Sequence, residues 1–259
     1  NAGRTGEPRD FGLEGSKFDM VVASTAAFSY AQPLPLPVGR LALGATVKYT
    51  VGHLLATGAD AGSQLNSDPL SVQVEFPIVH SDTTPQFDNG HGVGLDLGAA
   101  FELGPWTAAV AVRNAINTFE WDASKFFYRP ARAVFDADTS TSEFDALPLA
   151  EAPTALRQRL DESGYRKEIA AGVAFRPASN FTLAADIRHQ LGDGLELGNE
   201  THIGAGLEFR PFSWLPLQAG VAHVPDGVQF TGGAGLRIGG IHLQGAGLLR
   251  TGDAGDEVV

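Results

Sequence analysis

Charged side chains recur at alternate positions, inside runs whose other positions are apolar. Lys48, Asp96, Glu102, Arg113, Glu168, Asp186, Arg188, Glu208, Arg210 and Arg237 all fall on the non-apolar phase. Two chemistries fit that placement. Lys48, Asp96, Glu102, Arg113, Asp186, Arg188, Glu208 and Arg237 are candidate substrate-binding residues that line a polar path or hold a ligand head group. Alternatively, these charges pair with one another, which charges withdrawn from water must do. Mutual pairing is the favoured reading. Catalysis finds no support, because Ser and Asp are scattered over loops without a nucleophile elbow. The seven histidines lack ligand spacing, and His202 and His242 on the polar phase read as solvated or hydrogen-bonded. With no cysteine there is no thiolate metal site. The Gly232–Gly235 run lacks the helix that a phosphate-binding loop needs. The acidic loops Asp136–Asp145 and Asp193–Glu200 lack EF-hand spacing. The expectation is a non-enzyme with no cofactor and no metal.

The elements that must position these charges are strands. In Thr201–Arg210, Ile203, Ala205, Leu207 and Phe209 alternate with His202, Gly204, Gly206, Glu208 and Arg210, a period of two. The same grammar continues to Arg250 between Gly/Pro turns, which makes the neighbours antiparallel. It also covers Phe18–Tyr30, Arg40–Tyr49, Leu70–Ile78, Val93–Phe101, Trp106–Val112, Arg166–Phe175 and Phe181–Arg188. Residues 1–16 read as a loop. Gln32–Gly39 reads as a Pro-rich connector unable to continue a ladder, and His53–Pro69 and His80–His91 read as polar loops. Within the irregular Asn114–Gly164 stretch, Phe119–Phe135 gathers aromatics and arginines that suit strand extensions. Ser142–Ser163 holds the one helical signal, opened by Ala152-Pro153-Thr154. Loops this long are usually functional.

What the two faces touch separates a soluble sandwich from a membrane wall. The second face is mostly Gly, Ala and Thr with sparse charge, whereas a wet sheet carries dense Lys and Glu. Only 19% of residues are charged and Gly numbers 32. Aromatics gather where strands meet tight turns: Phe101 and Trp106, Phe175 and Phe181, Phe209, Phe212 and Trp214. Short turns largely alternate with long or polar connections, the outer-membrane pattern. No apolar run is long enough for a transmembrane helix. The expected fold is therefore all-β, an antiparallel transmembrane β-barrel of about fourteen strands if complete, with one short helix in a long loop. It is expected as a single domain over 1–259, lacking terminal strands, with 114–164 as an extracellular-side loop insertion. A net charge of −12 excludes a nucleic-acid partner that needs clustered Lys and Arg.

The segments VGLDLGAAFELGPWTAAVAVRN (93–114), FTLAADIR, HIGAGLEFRP, LPLQAGVAHVPDG and FTGGAGLRIGG resemble the FadL-type superfamily of outer-membrane barrels. More narrowly, they resemble its conjugal-transfer TraF-like and PorV-like relatives. That resemblance implies a Gram-negative outer-membrane location, outer-membrane lipid as a partner and a hydrophobic ligand passing through the lumen. The functional expectation is passage of hydrophobic or small solutes. The alternative is an accessory barrel that scaffolds a surface or secretion assembly, with a protein partner at the 114–164 loop.

Overall fold

A computed structural model describes residues 11–82, 88–192, 194, 200–224, 227–252 and 257–258. The first ten residues and most of the acidic loop 193–200 lie outside the described residues. The chain is all-β and antiparallel, as expected. In order come β1 (Phe11–Gly12), β2 (Lys17–Pro35), β3 (Arg40–Ala59), β4 (Gln64–Ser67), β5 (Leu70–Glu75) and β6 (Ile78–Ser81). There follow β7 (Gly90–Leu103), β8 (Trp106–Asn117), β9 (Glu120–Trp121), β10 (Phe126–Arg129), β11 (Arg132–Phe135), β12 (Ser140–Glu143) and β13 (Leu147–Pro148). Helix α1 (Thr154–Asp161) precedes β14 (Lys167–Ala178), β15 (Phe181–Leu191), β16 (Thr201–Phe212) and β17 (Leu215–Val224). The last are β18 (Gly227–Ile238), β19 (Ile241–Gly252) and β20 (Glu257–Val258). No described helix is long and apolar enough to cross a membrane.

The chain divides into two compact units. The first comprises Asn1–Ala26, Tyr49–Val93 and Thr118–Gly164. It has a conventional core, in which Leu55 and Val79 are fully buried and Phe119, Phe126, Tyr128, Leu156 and Leu160 nearly so. Pro153 starts α1, and Leu156 and Leu160, four apart, bury one helical face. A five-stranded sheet runs β1-β4-β5-β11-β12, and Arg132 pairs with Glu75 directly opposite at 2.6 Å. Arg159 of α1 donates to both carboxylate oxygens of Asp19 at 3.1 Å. Asp122 caps the turn at Ala123–Lys125. The bond from the Ser124 side chain, first among several, holds the Asp122 carboxyl below its ordinary range.

The second unit comprises Ala27–Lys48, Gly94–Asn117 and Tyr165–Val259. Its ladder runs β2, β3, β7, β8, then β14 through β19. Successive hairpins close at residues 36–39, 104–105, 179–180, 213–214 and 239–240. Registers bring apolar positions opposite one another along much of the ladder: Leu183 faces Leu207, Leu207 faces Ala219, and Leu217 faces Ala234.

Several expectations change. The closed barrel of about fourteen strands is not what the described residues form: they make an open sheet with no ladder from β2 to β19. The Gln32–Gly39 connector is shorter, because β2 continues through Pro33 and Pro35 to a turn at 36–39. A proline's missing N–H is tolerable there, since among the described residues β2 ladders with β3 alone. The His53–Pro69 loop is largely strand. β3 runs on to Ala59 with Leu55, Ala56 and Thr57 all buried, so both of its faces are covered and no alternation marks it. Leu70–Ile78, whose place breaks the up-down parity and suits a loop hairpin as well as a spanning strand, is β5 of the small sheet, hairpinned with β4 and broken before β6.

Candidate functional site

The polar face of the second unit carries the candidate charges, and the structure sorts them into separate pairs instead of one cluster. The densest arrangement surrounds Lys48, whose ammonium lies 2.7 Å from Asp96 Oδ1 and donates to Asn114 Oδ1 at 2.6 Å. Asn114 donates its backbone N–H to the same Asp96 oxygen at 2.8 Å and its side-chain amide to the Arg166 carbonyl at 2.8 Å. This knot sits where the β7–β8 register slips between Leu95 and Leu97. Asn114 takes a left-handed φ of 50° there, a conformation asparagine tolerates better than most residues. Its three partners pin the bulge, across which β8 carries two residues more than β7.

The other pairs lie along the ladder. Glu102 meets Arg40 at 2.5 Å, and Arg113 meets Glu168, directly opposite, at 3.0 Å. Asp186 stands 3.6 Å from Arg188 and 3.9 Å from His202 Nε2. Glu208 meets Arg210 at 2.5 Å and accepts from Gln218 at 2.8 Å. Arg237 faces His242 across the β18–β19 pair and has no carboxylate within ion-pair reach among the described residues. Asn114, Arg40 and Gln218 complete these networks. The sequence puts Arg40 on the polar phase with Lys48 but singles out none of the three as a site residue, because each works through a neighbour on another strand.

Between the Asp186 and Glu208 pairs lies a groove of about 440 Å³. Its floor is backbone at Gly204, Gly206, Gly220 and Gly233, edged by Thr182, Gln229 and Thr231. A Cβ on Gly220 would sit 2.8 Å from the Thr231 hydroxyl, so glycine is what keeps the groove open. Among the described residues no group of His, Asp and Glu has the geometry to hold a metal ion.

The opposite face decides more. Along β16, Ile203, Leu207 and Phe209 are 48, 41 and 40% exposed while Gly204 between them is buried. The pattern repeats in register: Leu97 and Val110, Ile169 and Val173, Leu183 and Ile187, Val221, Phe230, Leu243 and Leu249 are all exposed. At the tight-turn end, Trp106 stacks on Phe175 at 4.4 Å and Phe212 on Trp214 at 5.3 Å.

The family model for the F plasmid transfer operon TraF protein matches residues 16–187. The chain belongs to this family. That finding corrects the resemblance to the FadL-type superfamily, since the family that matches is TraF and not a FadL-type one. The strand-and-turn segments behind the resemblance record how a strand alternates and turns, a pattern shared by unrelated β proteins. No curated protein and no solved structure matches the chain. The TraF match spans both the charged knot at Lys48, Asp96 and Asn114 and the whole irregular stretch 114–164.

The knot makes a measurable prediction. Lys48 and Asp96 side chains are only 20 and 24% exposed, so Asp96→Asn, which strands the ammonium, is expected to cost about 2–3 kcal/mol. A paired Lys48→Met/Asp96→Leu change is expected to cost less than the single change. Urea unfolding of the single and double variants checks the order.

Proposed function

We propose that the second unit is a wall of a transmembrane antiparallel β-barrel in an outer membrane, and that the protein is an accessory component of a conjugative transfer apparatus. The observation that carries the membrane reading is the apolar face, exposed strand after strand and in register. Each half-exposed Leu, Ile or Phe forgoes about 1 kcal/mol of the transfer free energy that an apolar medium would return. A wall of them forgoes more than the ~5–15 kcal/mol that holds an ordinary domain folded. Lipid removes that cost.

Strands of 10–14 residues match the ~9–11 needed to cross a bilayer at a tilt. The stacked aromatics suit an interfacial girdle. Backbone amides in lipid need a ladder partner, so the reading requires that the wall close. Tight turns then belong on the periplasmic side and the long connections outside. The role in transfer is supported by the description of the matching family. The two-by-two pairing of the polar-face charges suits a self-satisfied wall better than a site waiting for a ligand.

The glycine-floored groove favours a second reading, passage of a small or hydrophobic solute along the polar face. Deleting the gene from a donor cell that carries a conjugative element separates the two. The accessory role predicts that transfer falls at least tenfold while outer-membrane permeability to small dyes is unchanged. Unchanged transfer with altered permeability would overturn it in favour of passage. Heat-modifiable gel migration and partition into detergent are expected of the closed wall; a detergent-free soluble monomer contradicts it.

A further inference from the structure

We infer that the wall closes between two copies of this chain, with β2 of each pairing against β19 of the other. This rests on the membrane reading above. The edges of the second unit's ladder are β2 and β19, which share no ladder with each other among the described residues. In lipid their outward backbone groups need partners. The phase of each edge follows from its hairpin. Leu36 donates its N–H to the Gly39 carbonyl, so even-numbered residues of β2 bond to β3 and odd-numbered ones point outward. Ser29 is one of the latter, and its hydroxyl meets that of Thr46 at 2.9 Å on the polar face. Arg237 donates its N–H to the Trp214 carbonyl, back towards β17. Its neighbour Ile238 therefore bonds to Ile241, opposite it, and the even-numbered residues of β19 point outward. Among them are His242 and Gln244, whose side chains are on the polar face. Both edges thus offer their backbone groups at polar-face residues, and joining them continues the apolar face without a break.

Direction agrees with phase. β2 runs into the hairpin at 36–39 and β19 runs out of the one at 239–240, at the same end of the ladder, so the two edges are antiparallel. Two copies in one membrane share an orientation, and β2 against β2, or β19 against β19, would run parallel. A two-fold pair forms the β2–β19 seam twice and leaves no edge. The outer edge of β19 already accepts an antiparallel strand, because β20 pairs there at Leu249 and Arg250. Pro33 and Pro35, both odd-numbered, present no N–H, so within the second unit the seam uses the donors of Ala27, Ser29 and Ala31. Exposure points the same way. Phe28, Tyr30, Ile241 and Leu243 on the edge strands are 74, 62, 66 and 61% exposed, against 42 and 41% for Leu183 and Leu207 inside the wall. A neighbouring strand removes that difference.

The test folds two full chains together into vesicles, one tagged and carrying Ser29→Cys, the other untagged and carrying Gln244→Cys. A short bis-maleimide is expected to join this mixed pair at least about tenfold more than Ser179→Cys with Gln244→Cys, because the seam holds its thiols at high effective concentration. Ser179 is in the 179–180 turn between β14 and β15, away from both edges. Closure within one chain would instead crosslink only the Ser29→Cys/Gln244→Cys double variant, as a monomer, and overturns the inference. Mixed crosslinking no better than the control overturns it too. Heat-modifiable gel migration keeps the membrane reading separate. Protein that shifts on heating without the mixed crosslink sinks this inference alone, and protein that neither shifts nor crosslinks sinks both.

Discussion

Leu207→Arg is expected to destabilise the protein by about 2–4 kcal/mol in a bilayer, the cost of a cation at the middle of a lipid-facing strand. Leu207 is 41% exposed, at the centre of β16, with Leu183 opposite on one side and Ala219 on the other. In a water-facing sheet the same change is a surface substitution worth about 0.5 kcal/mol or less, and it improves solubility. The two surroundings therefore predict different magnitudes from one residue. Folding of the variant into lipid vesicles, titrated with urea, checks it. Arginine placed at Gly206, one position along on the polar face, disturbs packing but not lipid contact. A profile that depends on depth on the odd positions alone is the expected pattern.

Leu55→Ala carries the second large effect, at about 3–4 kcal/mol. Leu55 has no exposed surface, its N–H donates to the Ser81 hydroxyl at 3.2 Å, and its side chain shares the core of the first unit with Val79 and Phe126. Truncating a leucine in such a core loses the transfer term and leaves a cavity that neighbours only partly fill. Trp121 is the one tryptophan of that unit, the others being Trp106 and Trp214. A Trp106→Phe/Trp214→Phe background therefore reports the melting of this core alone. A loss below about 1 kcal/mol would mean that the first unit is not packed as described.

The ladder of the second unit was readable in the sequence because its two faces differ in chemistry. From Ile203 to Phe209 every second side chain is apolar and exposed, and chemistry alternates with geometry at the same period. The first unit was not readable in that way. At Leu55-Ala56-Thr57 both faces of β3 are covered, so the period vanishes and the segment passes for a loop. Pro33 and Pro35 mislead for a different reason: a strand that ladders on one side can carry prolines. α1 was visible because Leu156 and Leu160 sit one turn apart after Pro153.

The charges were readable as a face but not as pairs. Which carboxylate meets which cation depends on ladder register, and the register slip at Asn114 has no local signature. The pocket lined by Phe119, Trp121, Leu160 and Asp161 draws on β9 and the end of α1, some forty residues apart in the chain. Its members fall together only after the first unit folds.

The chain contains no cysteine, so single cysteines can be placed along β16 without background. The most direct measurement introduces them one at a time from residue 203 to 209 in protein assembled into vesicles. Each is then challenged with a membrane-impermeant maleimide and with a lipid-confined quencher of an attached fluorophore. A lipid-facing wall leaves positions 203, 205, 207 and 209 shielded from the maleimide and quenched from the lipid, while 204, 206 and 208 escape the quencher. Equal maleimide labelling of the odd positions, with no quenching at any of them, would contradict a lipid-facing wall.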